Sequence, residues 1–491
     1  MVWLFISGGL VLGWSLGAND GANVFGTAVV SRMVRFRTAA AVASVFVILG
    51  AVVSGAGPAR TLNDLGAVNA LAGSFTVIVA AAAAIFWMTK IGLPISTSQA
   101  VVGGIIGWNL FTGSPTDISS FTKIVSTWVL CPILAAAFAF SLFKAVTAIL
   151  RRAKIHILHL DAYTRVGFVI AGAFASYSLG ANNIANVMGL FVSSSPFRDI
   201  ALTSFFKISG IQQLFLIGGA AIAVGIFSYS YRVMHTVGGQ LYKITPLSGL
   251  LVVISQALVL FLFASERLEA WLASNGLPTF PLVPVSSTQA VIGAVIGVGL
   301  ARGGKGINFK VLGKIAAGWV LAPLAACIVS LVALFFVQNV FEQKVVNQVP
   351  YELTPAAIRA LEARELPAVR FQSLKGKRIV GAANLRNALR SQYPWREEEL
   401  FTIFSFAEID SMKIDTLSIL KADFGDQRLS PGQFRTLADL HGREFIHRWQ
   451  LDRMLMEESE EWRPLQGKGH EAHNKGLRLQ YSLLHEICRR R

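Results

Sequence analysis

Charge is scarce in this 491-residue chain: 15% of its residues are Asp, Glu, Lys or Arg, while 53% are hydrophobic. An average soluble domain is about a quarter charged. Acid is scarcest toward the N-terminus. Residues 1–344 hold 21 Lys and Arg but 8 Asp and Glu, whereas residues 345–491 hold 23 and 20. That split reads as a membrane part followed by a charged soluble tail. Cysteine is nearly absent. Cys131, Cys327 and Cys488 match no metal or redox spacing, so they are expected to be two packed membrane residues and one tail thiol. The N-terminus lacks a basic lead-in and a small-residue cleavage site before Gly17, so it is expected to be a first membrane span rather than a cleaved signal. No nucleic-acid motif occurs. The net charge of +16 sits largely in short loops between apolar stretches, where basic residues mark the cytoplasmic side of a membrane. Nor is there a catalytic constellation, which argues against an enzyme.

What is abundant is long apolar sequence. A membrane helix needs about 20 apolar residues. Ten segments meet or approach that length: 3–29, 38–57, 70–89, 93–111, 123–149, 166–192, 201–228, 246–264, 281–300 and 315–340. Internal Gly, Pro and polar clusters predict broken helices in several. Basic loops containing Arg32, Arg35 and Arg37, then Arg151, Arg152, Lys154 and Arg165, then Arg302, Lys305, Lys310 and Lys314 become cytoplasmic together only if the N-terminus is outside and all ten segments cross. The same count places the tail outside.

The chain also repeats itself. "GANDGAN" at 17–23 matches "GANNIAN" at 180–186. "PISTSQAVVGGIIGWNL" at 94–110 matches "PVSSTQAVIGAVIGVGL" at 284–300, and "WVLCP" at 128–132 matches "WVLAP" at 319–323. The second copy carries extra residues near "TVGGQLYKITP" at 236–246. This order implies membrane repeat 1 over 1–150, membrane repeat 2 over 151–344 and a helical soluble tail over 345–491. Each copy has five segments, an odd number, so the copies enter the membrane in opposite directions. The expected fold is an all-α polytopic membrane protein of two inverted repeats with broken helices. In such folds the binding site lies between the repeats.

The repeated motifs carry the polar chemistry. Pro94 and Pro284 suit the first turn of a helix. Ser96, Thr97, Ser98 and Gln99, with Ser286, Ser287, Thr288 and Gln289, follow them. A half-helix starting at membrane depth leaves N–H groups unpaired, and those donors plus hydroxyls make an oxyanion site without a formal positive charge. In the GAN motifs, Gly17 and Gly180 permit unwinding. Asn19, Asn23, Asn182, Asn183 and Asn186 supply amides, and Asp20 is the one acid within an apolar span. An uncompensated charge there costs about 2.5–3.5 kcal/mol. Unwound carbonyls with one carboxylate suit Na+, and an intramembrane carboxylate can also carry H+. The motifs contain no Lys or Arg, so an anion near Asp20 needs an accompanying cation. That favours symport over an anion channel. Lys90 and Lys207 are further candidates for attracting anions, with snorkelling to an interface as the alternative.

Taken together, the motifs over residues 1–340 resemble the PiT family of inorganic phosphate transporters, which carries two G-A-N-D-x-A-N sequences and two P-x-S-[ST]-[ST] sequences. The resemblance implies cation-coupled phosphate uptake across the plasma (inner) membrane, driven by Na+ or H+, with no other cofactor, and often a homodimer. It implies that Asp20, Asn19, Asn23, Asn182 and Asn186 serve the ion and anion site, and that the hydroxyls of 96–98 and 286–288 bind the oxyanion. Many members have Asp where this chain has Asn183, and His where it has Gln99 and Gln289. Losing an acid leans mildly toward sulfate or another tetrahedral oxyanion, which is the alternative substrate. The tail shows apolar residues at helical spacing in 355–366 and 434–458, which predicts a small helical domain. Its histidines, His441, His447, His470, His473 and His485, are expected on the surface, and regulation, assembly or partner binding are its candidate roles.

Overall fold

The computed structural model describes residues 1–66, 68–90, 96–153, 155–201, 207–237, 245–304, 309–421, 429–465 and 470–489. It divides into two compact units. The first holds Met1–Thr112, Thr116–Glu266 and Phe280–Asn347; the second holds Gly113–Pro115, Arg267–Thr279 and Gln348–Arg491.

The first unit is built from α1 (Val2–Val30), α2 (Phe36–Ser54), α3 (Ala56–Leu65), α4 (Leu71–Lys90), α5 (Thr97–Thr112), α6 (Ile118–Ala153), α7 (Ile157–Met188), α8 (Gly210–Ser228), α9 (Ser230–Val237), α10 (Pro246–Ala264), α12 (Ser287–Ala301) and α13 (Phe309–Asn339). Helix α11 (Glu266–Ser274) runs from the first unit into the second. Among the described residues, eight helices are long and apolar enough to cross a membrane, so the protein is an integral multi-pass membrane protein. Of the ten apolar segments, 93–111 and 281–300 hold shorter helices. Helices α5 and α12 have 16 and 15 residues, short of the roughly 20 a span requires. Each begins inside a P-x-S motif, with the motif's first serine as its cap: Gln99 N–H donates to Ser96 Oγ (3.4 Å) and Gln289 N–H to Ser286 Oγ (3.2 Å). Helix α2 ends at Ser54 and α3 restarts at Ala56.

The GAN motifs also differ from their expected form. No unwinding occurs there: α1 runs as one helix of 29 residues through Gly17–Asn23, and α7 as one of 32 through Gly180–Asn186. The glycines serve close packing instead. A Cβ on Gly17 would collide with the backbone of Ile222 on α8, and one on Gly180 with the backbone of Val47 on α2. These approaches come in matched pairs. Gly50 abuts the Tyr177 carbonyl and Gly225 that of Trp14; Gly103 abuts the Pro323 carbonyl and Gly293 that of Pro132. So α1 and α2 interleave with α8 and α7, and α5 and α6 with α13 and α12.

Two charged candidates change place. Lys207 precedes α8 in a short strand, Lys207–Ile208, rather than lying within a membrane segment. Its side chain, like Pro94 as a whole, lies outside the described residues. Lys90 is exposed at the end of α4, with its ammonium 4.7 Å from the Phe86 ring centroid, as a snorkelling residue would be.

The second unit is mainly short helices over two apolar clusters, one around Phe371, Leu400 and Ile403 and the other around Met412, Leu451 and Trp462. The 434–458 stretch is not one helix. It breaks after Asp439, where Gly442 adopts φ +77°, a left-handed conformation glycine accepts readily, and a two-residue strand precedes the next helix at Arg448. His447 is also not a surface residue. It is fully buried, stacked on Trp449, with Nδ1 2.8 Å from the Glu408 carbonyl. Burial holds its pKa below the usual imidazole range.

Because Gly50 and Gly225 lie outside the polar motifs, Gly50→Ala and Gly225→Ala isolate packing. Each should cost about 1–3 kcal/mol, the usual penalty for overpacking, seen as a lower unfolding temperature in detergent. Unchanged unfolding temperatures would contradict the backbone approach.

Candidate functional site

Four motifs distant in sequence meet in one buried hydrogen-bonded cluster. Its centre is Asp20 on α1, 6% exposed. Asp20 Oδ2 accepts from Asn183 Nδ2 on α7 and from Ser287 Oγ on α12, both at 2.7 Å. Asp20 Oδ1 has only a long contact, 3.4 Å from Asn23 Nδ2 one turn along the same helix. The carboxylate thus has one well-held oxygen and one nearly free.

Around it, Asn182 forms a backbone clamp. Its Nδ2 donates to the Val285 carbonyl (2.7 Å) and its Oδ1 accepts from the Val285 N–H (2.8 Å). This fixes the extended chain just before α12. The same Nδ2 lies 2.9 Å from Asn183 Oδ1, which leaves the Asn183 amide nitrogen facing Asp20. From the other P-x-S motif, Ser98 Oγ accepts from Asn186 Nδ2 (2.9 Å) and donates to the Val285 carbonyl (3.3 Å). One neutral amide network therefore ties α1, α7 and the N-termini of α5 and α12 together.

Asp20, Asn182, Asn183, Asn186, Ser98 and Ser287 are joined directly, with Asn23 at the edge and half-buried. Ser96 and Ser286 are buried helix caps. Thr97 and Thr288 are half-buried. Asn19 is exposed on α1, and among the described residues no hydrogen bond joins it to the cluster. Gln99 and Gln289 occupy equivalent places on α5 and α12. Both are fully buried, and neither amide atom has a partner. Asn186 Oδ1 is likewise unpartnered. A buried polar group left unpaired costs about 1–3 kcal/mol, so these atoms are open to a partner that the protein does not supply. Gln256 on α10 has the same property. It belongs to no repeated motif, so nothing in the sequence singles it out.

Chemically, the site offers one carboxylate, several amide and hydroxyl donors, and two helix N-termini. It has no nucleophile–base pair. Helix N-termini with hydroxyls favour an anion, and the free carboxylate oxygen favours a cation. A multi-pass bundle with such a buried polar centre defines a membrane transporter.

Comparison with known proteins gives the family. The profile of the phosphate transporter family matches residues 16–164, 152–270 and 268–409, and the chain belongs to that family. A Pyrococcus furiosus protein whose name marks it as a phosphate permease by inference is 27% identical over 402 residues, covering 66% of this chain and 92% of its own. The chloroplastic inorganic phosphate transporter 2-1 of Arabidopsis thaliana is 25% identical over 420 residues, covering 65% and 69% respectively. A solved structure titled the sodium-dependent phosphate transporter aligns with a TM-score of 0.55 at 24% identity, covering 69% of this chain and 98% of that one. At that identity the alignment shows the fold.

Asn182→Ala should leave the Val285 N–H without its partner, leave the Val285 carbonyl only the longer bond from Ser98, and release the Asn183 amide. The expected cost is about 1–3 kcal/mol in unfolding stability, together with loss of substrate transport in reconstituted liposomes. A variant with wild-type stability and transport would show that the clamp is dispensable.

Proposed function

We propose that this chain is a sodium-coupled symporter of inorganic phosphate. The observation that carries the reading is Asp20: a buried carboxylate where the four motifs converge, held by neutral donors and with one oxygen nearly free. Phosphate bound at the adjoining helix N-termini would bring a second negative charge close to it. At 5 Å and an effective dielectric of about 20, such a pair costs about 3 kcal/mol. A cation at the free oxygen offsets that repulsion, so anion and cation bind together or poorly. The family membership supports phosphate, and the name of the structural neighbour supports Na+ as the ion.

The matched glycine contacts support reading residues 1–150 and 151–344 as two inverted copies, with 345–491 as an attached soluble domain. In this reading the motifs of each copy meet those of the other at the pseudo-symmetry axis. Transport follows from alternating access to that shared centre. The donor function falls to Ser98, Ser287, Thr97, Thr288, Gln99 and Gln289, and the cation to Asp20 with nearby amide oxygens. The halves are unequal. Asn183, the counterpart of Asp20, donates to that carboxylate instead of adding a second acid.

Asp20→Asn in liposomes should abolish accumulation of labelled phosphate under an inward Na+ gradient while the unfolding temperature stays near that of wild type. Unlabelled phosphate should compete for uptake far better than sulfate. Accumulation retained by the variant would refute the role of Asp20, and stronger competition by sulfate would reassign the substrate.

A further inference from the structure

We infer that Gln256 is a ligand of the coupling cation, completing the site at Asp20 from a fourth helix. The inference rests on the sodium-symport reading above and adds to it a residue outside every repeated motif.

Gln256 is fully buried in the apolar helix α10, and neither its amide oxygen nor its amide nitrogen has a partner. Helix α10 packs against α1, α7 and α12, the three elements that hydrogen-bond at Asp20. The register places it. Gly249 on α10 lies against the Thr27 side chain on α1. The helices are antiparallel: Arg302, at the far end of α12, donates to Thr245 and Ser248 at the start of α10, and α12 begins at the Asp20 contact. Seven residues along α10 from Gly249 is Gln256, and seven back along α1 from Thr27 is Asp20. Each step is about 10 Å and returns close to the same helix face.

A second register agrees. The Val283 N–H donates to the Phe263 carbonyl, and Phe263 is seven residues beyond Gln256 on the same α10 stripe. From Val283, four residues of extended chain, about 13 Å, lead to Ser287, whose hydroxyl bonds Asp20. Both paths bring the Asp20–Ser287 hydrogen bond opposite the part of α10 that holds Gln256. The amide oxygen is the group suited to Na+, a hard cation that takes oxygen ligands, and Asp20 Oδ1 is the oxygen left open to share it. In the first half, α4 carries no amide or acidic side chain. Gln256 thus supplies a neutral oxygen in the half whose GAN motif lacks an acid.

The test compares wild type, Gln256→Leu and Gln256→Glu in liposomes, with phosphate uptake followed over a Na+ series and a phosphate series. Gln256→Leu should raise the half-saturating Na+ concentration about tenfold, the equivalent of 1.4 kcal/mol of lost binding. Its phosphate KM at saturating Na+ should stay near wild type. Gln256→Glu keeps an oxygen ligand and should retain most of the Na+ affinity. Thermal unfolding of purified protein over the same Na+ series, without phosphate, should show the Gln256→Leu response displaced to higher Na+. An unchanged Na+ response in Gln256→Leu beside a responsive wild type, or equal impairment by Leu and Glu, would overturn the inference alone. A wild type indifferent to Na+ in both assays would overturn the sodium reading and this inference with it.

Discussion

The hydrogen bond from Asn183 to Asp20 is the contact on which the rest of the site depends. It joins the two GAN motifs and places a single acidic side chain among neutral donors. A carboxylate in the apolar part of a membrane protein is costly unless its environment compensates for it. Here two hydrogen bonds satisfy one oxygen and leave the other open. In the proposed symport, that open oxygen is where the cation binds. Glycine contacts make the geometry possible. Gly17 and Gly180, each within three residues of Asp20 or Asn183, let α1 and α7 press backbone to backbone against α8 and α2.

The amide network adds a second property, precision without charge. Asn182 holds Val285 by both of its backbone groups, which fixes where α12 begins and where Ser287 points. Asn186 ties Ser98 of the opposite half to the same region. An anion binding there would meet donors already oriented, while unpaired Gln99 and Gln289 keep spare hydrogen-bonding capacity. Because every link is neutral, the balance of charge at the site is set by Asp20 and whatever ions enter.

Much of this was legible in the sequence because the chain carries the information twice. Asp20 stood out as a lone acid in an apolar span, and its pairing with the 180–186 segment followed from the repeated motif. The P-x-S motifs announced helix starts, and Ser96 and Ser286 do cap α5 and α12. Length was less legible. Segments 93–111 and 281–300 read as spans, yet their helices begin only at Thr97 and Ser287, since apolarity does not reveal where a helix starts. Glycine was read as a site of unwinding, when carbonyls on neighbouring helices explain it as a site of contact. Gln256 was invisible, because one amide in an apolar helix has no pattern until packing shows it unpaired. In the tail, helical spacing over 434–458 hid the break at Gly442, and scattered histidines gave no hint that His447 is buried against Trp449.

The central claim is that phosphate and Na+ enter this site together. It is tested most directly by reconstituting the protein and measuring labelled phosphate inside liposomes while the Na+ gradient is imposed, reversed or replaced by choline. The account predicts accumulation above the outside concentration with an inward Na+ gradient, and none with a reversed gradient or with choline. Phosphate that merely equilibrates, at a rate independent of Na+, would contradict it.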